Sequence, residues 1–183
     1  MSSTTAANTL TQRVIGALAL DPAIYEEVEA DPGATGQALG IVVLSSVAAG
    51  IGSRGLGGTT LTAIVFISIV SLLAWAAWAV LMFEVGARLL PEAETHSDVG
   101  ELLRTIGFAS APGLLRVLGV MSAATIPVFI VTSLWMLAAM IVAVRHALDY
   151  HSTGRAVGVC VLGWVLAATI AVVIGLLFGP ALQ

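Results

Sequence analysis

The chain has 183 residues, of which 58% are hydrophobic and 10% are charged, and its 7 basic and 11 acidic side chains give a net charge of −4. Soluble domains carry roughly 25% charged residues, so this chain has too little polar surface to cover a water-soluble globule. The composition excludes a soluble enzyme, a nucleic-acid-binding protein and a disordered chain, and it predicts an integral membrane protein.

Residues 1–33 are predicted to form a cytoplasmic tail with short amphipathic helices. The first half of this tail places apolar side chains at helical spacing. Asp21-Pro22 then has the pattern of an N-cap followed by the first residue of a helix, and Asp31-Pro32 repeats that pattern before the first long apolar segment.

Four later segments carry no charged side chain: 32–53, 55–83, 117–144 and 156–183. Each reaches or exceeds the roughly 20 residues that a helix needs to cross the hydrocarbon core of a bilayer. Helices are required there because lipid cannot satisfy free backbone polar groups. The predicted transmembrane helices in these segments are 35–53, 60–83, 123–144 and 156–178.

A fifth apolar stretch, 102–118, carries Arg104 and Arg116 near its ends. If the two side chains extend towards opposite membrane surfaces, their charged heads lie about 28 Å apart, which nearly matches the hydrocarbon thickness. The alternative is a segment that lies under one leaflet. Pro112-Gly113 predicts a kink in the middle, because proline has no N–H to bond the carbonyl of the preceding turn.

The distribution of arginines favours five crossings over four. With five crossings the N-terminal side holds five arginines and the opposite side two, whereas four crossings give four and three. Cytoplasmic loops carry the excess of positive charge. We therefore predict an all-α bundle of five transmembrane helices over residues 34–183, in the cytoplasmic (inner) membrane, with the N-terminus in the cytoplasm and the C-terminus outside.

Two sequence blocks resemble the bacterial branch of the Yip family, integral membrane proteins named for eukaryotic relatives that interact with Rab-type GTPases. The blocks are GFASAPGLL (Gly107–Leu115) and AVRHALDY (Ala143–Tyr150), the second followed by Thr153, Arg155 and Ala156. The likeness covers residues 13–178. It implies five transmembrane helices, a cytoplasmic N-terminus and no enzymatic activity.

Charged residues concentrate where the predicted helices meet the cytoplasm. At i, i+4 spacing, Glu84 can pair with Arg88 and Arg145 can pair with Asp149. These groups either form ordinary ion pairs that set helix depth, or form a buried network in which Arg104 bonds an acid of the rim and which offers a docking face to a partner. The residues of this predicted rim network are Glu84, Arg88, Glu101, Arg104, Arg145, Asp149 and Arg155.

Three tryptophans, Trp78, Trp135 and Trp164, are each nine or ten residues from a rim arginine. At 1.5 Å per residue they lie about 13–15 Å inside the predicted cytoplasmic surface, deeper than the usual interfacial belt. One interpretation is packing between helices or contact of the rings with lipid. The other is an aromatic layer that lines a lateral pocket for an isoprenoid, acyl or pigment tail near Pro112.

The sequence predicts neither a catalytic site, nor a cofactor site, nor a metal site, because no suitable cluster of nucleophile, base or ligand residues is present. We therefore expect a non-enzymatic scaffold or accessory subunit that contacts membrane lipids and packs in a homo-oligomer or larger membrane complex, without nucleic acid or metal. The alternative is a small transporter or a lipid- or isoprenoid-handling protein, for which the break at Pro112 is the supporting feature.

Overall fold

The computed structural model describes residues 8–57, 60–90 and 98–178, which are helical throughout and contain no strand. The predicted all-α class is thereby confirmed for this part of the chain. The helices are α1 (Leu10–Leu18), α2 (Pro22–Ala30), α3 (Thr35–Gly52), α4 (Leu61–Phe83), α5 (Val99–Ala109), α6 (Thr125–Ala147) and α7 (Thr153–Phe178).

Three of the five predicted spans are helices long and apolar enough to cross a membrane: Pro32–Leu56, Leu61–Leu89 and Thr125–Ala147. The first of these is α3 with a short 3-10 turn at each end, and the second is α4 continued by a π-helix. The predicted fifth span, 156–178, falls within α7, of which Thr153–Ala167 is a shorter apolar helix.

The predicted third span is two elements rather than one continuous helix. α5 ends at Ala109, and a 3-10 helix, called here the 3-10 segment, runs over Ala111–Val120. The change of helix type comes directly before Pro112, where the sequence predicts a kink. A neighbouring helix satisfies a carbonyl at this break, because the Ser45 hydroxyl of α3 donates to the Ser110 carbonyl at 2.7 Å.

α5 and the 3-10 segment form the most buried part of the described chain: every residue from 104 to 113 is buried. They run beside α3 and in the same direction. A Cβ at Gly107 would lie 2.7 Å from the Cβ of Ala38, and a Cβ at Gly52 would lie 2.0 Å from the Arg116 carbonyl oxygen. Because such spacing leaves no room for side chains between the backbones, glycine is required at both contacts.

The N-terminal helices pack into the core. α1 contacts α2, α5 and the 3-10 segment, and α2 contacts α5 and α6. Tyr25 and Val28 of α2 are 0% exposed. Asp21 and Asp31 cap the helices that follow them, as predicted, by accepting from the N–H groups two residues further on. The described part of the predicted tail, residues 8–33, therefore packs against the longer helices that follow it.

α4 stands in contrast to α5, because only Ala79 and Met82 along it are buried. Its surface is apolar, with Phe66 66% exposed. A helix of this kind would expose its side chains unfavourably to water, whereas lipid accepts them.

We expect the Gly107 contact to limit stability. Gly107→Val places a branched side chain against Ala38, so the free energy of unfolding should fall by about 1–3 kcal/mol. The matched control is Gly40→Val in α3, where nothing lies within 4 Å of a new Cβ. Thermal unfolding in a mild detergent, followed by circular dichroism, measures both. Equal unfolding temperatures for the two variants would contradict the close approach.

Candidate functional site

The predicted rim residues separate into different environments. Glu84 and Arg88 form the expected i, i+4 ion pair at 2.8 Å, but both side chains are largely exposed. Arg155 lies near the Leu90 carbonyl and has its guanidinium carbon 5.8 Å from the centre of the Tyr150 ring. The exposed ion pair between Glu84 and Arg88 contributes little to the free energy of unfolding, typically less than about 1 kcal/mol.

Arg104 is buried and bonds backbone carbonyls instead of the acidic side chain that the sequence suggests. Its Nε donates to the carbonyls of Val28 at 3.1 Å and Glu29 at 3.0 Å, and its Nη2 also donates to Glu29. These carbonyls belong to the last turn of α2 and have no partner within that helix. Arg104 therefore fastens α5 to the C-terminal end of α2, where a cation is also favoured by the helix dipole.

Arg145 and Asp149 do not form the predicted ion pair. α6 ends at Ala147, and Asp149 adopts a left-handed backbone conformation with φ 52°, so the two residues do not share a helix face. Arg145 Nε lies 3.4 Å from the Tyr150 carbonyl instead. Both residues line a cavity of about 400 Å³, called here the rim pocket. Its titratable residues are Glu26, Glu29, Glu101, Arg145, His146, Asp149 and Tyr150.

Glu29 is the perturbed acid of the rim pocket. Burial, together with the negative charges of Asp149, Glu101 and Glu26, raises the pKa of its carboxyl to about 7, while Arg104 acts in the opposite direction. The group therefore exchanges a proton close to neutral pH.

A buried ionic cluster around Arg13 joins the N-terminal elements, and the sequence analysis did not find it. Arg13 is 2% exposed and bonds Glu27 at 2.9 Å and Asp31 at 2.7 Å, while its Nη1 donates to Gln37 at 3.1 Å. Hydrogen bonds from Arg13 and from the Gly33 N–H hold the pKa of Asp31 below its ordinary value. The one sequence signal is the i, i+4 spacing of Glu27 in α2 and Asp31 at its C-cap, which does not reveal a partner 14 and 18 residues away.

The three predicted layer tryptophans divide between two places. Trp135 donates its indole N–H to the Leu18 carbonyl at 2.9 Å, so this side chain fastens α6 to the end of α1. Trp78 and Trp164 meet edge to face with ring centres 6.2 Å apart. They line a cavity of about 280 Å³ between α4, α6 and α7, called here the aromatic pocket.

The aromatic pocket lies about halfway along the helices that form it. Ser71 is near the middle of α4, and Ser133 is about 12 Å along α6 from its first residue. Trp164, near the middle of α7, is 56% exposed and opens the pocket to the surface of the bundle. The polar and aromatic lining residues are Ser71, Trp75, Trp78, Arg116, Ser133 and Trp164.

Arg116, for which the sequence predicts a reach towards the membrane surface, lines the aromatic pocket and bonds α6. Its Nη2 donates to the Ser133 hydroxyl at 3.0 Å, its Nε lies 3.4 Å from the Thr132 hydroxyl, and its guanidinium carbon is 5.4 Å from the centre of the Phe129 ring. Within the described residues it has no ion pair. An unpaired cation in apolar surroundings costs several kcal/mol, so its retention needs a reason.

Two of the tryptophans that line the aromatic pocket also carry donors without acceptors, and these N–H groups lie within the packed wall rather than on its accessible face. The indole N–H groups of Trp75 and Trp78 are buried and have no hydrogen-bond partner among the described residues. Buried polar groups in proteins are nearly always bonded, so two orphaned donors beside one unpaired guanidinium are unusual. The aromatic pocket thus combines apolar walls with an excess of hydrogen-bond donors.

Comparison with known proteins adds no assignment: no protein-family model, no curated protein and no solved structure matches the chain. The likeness to the Yip family rests on the sequence, and its most specific parts are the two blocks Gly107–Leu115 and Ala143–Tyr150. Among the described residues, no group of three or more His, Cys, Asp or Glu side chains is placed to hold a metal ion. His96, which the sequence places in a loop, lies outside the described residues.

We expect Glu29 to make folding stability depend on pH. Because its pKa is higher in the folded state than the ordinary carboxyl value, the folded state binds more protons, so stability falls as pH rises from about 4.5 to about 7. Glu29→Gln should reduce the loss of stability between pH 5 and pH 8 by about 1 kcal/mol, after allowance for solvent around the partly exposed carboxyl.

Thermal unfolding in detergent at the two pH values measures this difference. Glu84→Gln, in the exposed pair with Arg88, is the control and should keep the pH dependence of the parent protein. If Glu29→Gln keeps it as well, the carboxyl titrates near its ordinary value.

Proposed function

We propose that the chain crosses the cytoplasmic (inner) membrane five times, with the N-terminus in the cytoplasm and the C-terminus outside. The main support is the path of α5 and the 3-10 segment, which follow α3 in the same direction from Ala38 to Gly52, a distance of about 21 Å. If α3 crosses the membrane, its parallel neighbour starts and ends on the same sides as α3. The arginine distribution and the likeness to the Yip family support the same topology.

This topology is tested with reporters fused to the C-terminus. Five crossings predict that alkaline phosphatase, which folds outside the cytoplasm, is active there and that green fluorescent protein is dark after export in unfolded form. Fusions inserted directly after residue 90 should give the opposite pattern. A fluorescent C-terminal fusion would place both chain ends in the cytoplasm and would contradict the five-span arrangement.

The function that the geometry supports best is binding of a lipid chain by a non-enzymatic membrane protein. The observation that carries this proposal is the aromatic pocket, an opening of about 280 Å³ at mid-height between three apolar helices. Trp164 lies at its edge and Trp78 behind it, so an apolar chain from the surrounding bilayer can enter sideways between aromatic rings. This is the lipid-handling alternative of the sequence analysis.

A scaffold or accessory-subunit role is the second candidate, and the rim pocket is the observation in its favour. Residues of α2, α5 and α6 meet there, and Glu26, Glu29, Glu101 and Asp149 give its wall an excess of negative charge. A basic segment of a partner membrane protein, or of a second copy of the chain, has the complementary charge. Association with such a partner is compatible with lipid binding, because the two pockets are formed by different residues.

Lipid binding is tested by native mass spectrometry of the protein in a neutral detergent, with an octadecyl-chain alcohol, acid and phosphate as probes. Trp164→Ala removes one wall of the aromatic pocket, so we expect about threefold to tenfold weaker binding of any chain that the parent protein retains. The control is Phe66→Ala, which removes an equally exposed ring on α4 outside the pocket. If no chain binds, or if both variants lose binding equally, the proposed function is wrong.

A further inference from the structure

Four arginines are buried or partly buried in the part of the chain that the structure describes. Arg145 lies among the acidic residues of the rim pocket, and the other three differ in what neutralises them. Arg13 bonds two carboxylates, and Arg104 bonds two carbonyls at a helix C-terminus. Arg116 has only the neutral hydroxyls of Thr132 and Ser133 and the face of the Phe129 ring. Of the three, Arg116 alone carries a positive charge for which the described residues provide no compensating group.

No acidic residue is available to Arg116 along the helices that surround it. The sequence contains no Asp or Glu between Glu101 and Asp149. The same is true of residues 55–83, which include α4, and of residues 153–178, which form α7. Among the described residues no carboxylate supplies the compensating negative charge, so its source lies elsewhere. The bilayer around these helices is the nearest source of negative charge, because the aromatic pocket opens beside the exposed Trp164 at the surface of the helical bundle.

The other polar groups of the aromatic pocket have the same preference. The indole N–H groups of Trp75 and Trp78 can only donate, and both lack an acceptor among the described residues. The Ser133 hydroxyl accepts from Arg116 and still has its own proton to donate. A group that bonds Arg116 and Ser133 from the pocket must accept hydrogen bonds and carry negative charge, which describes a carboxylate or a phosphate.

We propose that the aromatic pocket binds the acidic head group of an amphiphile, a carboxylate or a phosphate, with Arg116 as the charged ligand and the apolar chain directed past Trp164 into the bilayer. This inference rests on the proposed lipid-binding function and specifies its ligand class. The cavity of about 280 Å³ is slightly smaller than a pocket for a complete drug-sized ligand, so it takes the head group and the first carbons while the rest of the chain stays in lipid.

Head-group selectivity is the property that tests this proposal. We compare the apparent Kd of stearate, octadecyl phosphate and stearyl alcohol for the parent protein, Arg116→Gln and Arg54→Gln by titration in native mass spectrometry. Arg54 is exposed and serves as the matched control for loss of one positive charge. We expect at least one acid to bind the parent protein about tenfold or more tighter than the alcohol, and Arg116→Gln to abolish that preference while Arg54→Gln keeps it.

A second variant protects the test against a folding defect in Arg116→Gln. Trp75→Phe combined with Trp78→Phe keeps an aromatic ring at each position but removes both indole N–H groups. Binding of the acids should therefore weaken severalfold, while binding of the alcohol stays within about twofold. Thermal unfolding of each variant without ligand shows whether the fold is intact. If the double variant binds acids as tightly as the parent protein, the indole groups have no part in the site and the donor arrangement proposed here is wrong.

The remaining outcomes separate this inference from the function on which it rests. Equal binding of all three probes would leave a lipid-chain pocket in place and overturn its head-group selectivity. Displacement of bound stearate by acetate or inorganic phosphate at the same concentration would assign the site to free anions and overturn the requirement for a chain. Absence of binding by every probe would overturn both proposals together.

Discussion

The helical domain depends on the close approach of α3 to α5 and the 3-10 segment. Gly107 lies against Ala38 at one end of this contact and Gly52 lies against the Arg116 backbone at the other, so two main chains pack with almost no side chains between them. Between apolar helices in lipid there is little hydrophobic driving force, and dispersion contacts of this kind replace it. The contact also fixes where the Arg116 side chain begins, and so connects the packing of the core to the aromatic pocket.

The two N-terminal helices are joined to this core by their free carbonyl groups. α1 and α2 are only nine residues long, so a large fraction of their carbonyls has no partner within the helix. Trp135 bonds the last carbonyl of α1, and Arg104 bonds carbonyls in the last turn of α2. Each of these side chains therefore has a structural role. Arg116 also bonds a neighbouring helix, through hydroxyls of α6, but its partners among the described residues are neutral, which is the reason for assigning it to a ligand.

Several features of the candidate site were beyond prediction from the sequence. The sequence predicts one layer for Trp78, Trp135 and Trp164 because it gives only the distance of each tryptophan from a rim arginine along its own helix. Depth along a helix does not give direction around it, and Trp135 points to α1 while the other two meet each other. The position of Arg116 was missed for a similar reason: its reach to Thr132 and Ser133 depends on how the 3-10 segment packs against α6.

The sequence by itself determined the all-helical class, the three long apolar helices and the caps at Asp21 and Asp31, because these follow from composition, length and short-range spacing. Only the tertiary structure decided that the N-terminal helices belong to the core, that Arg13 pairs with two acids of α2 and its C-terminal end, and that an unpaired guanidinium faces the tryptophans. The physical reason is that these contacts join residues far apart in the chain, and their energy depends on burial and direction, which local patterns do not specify.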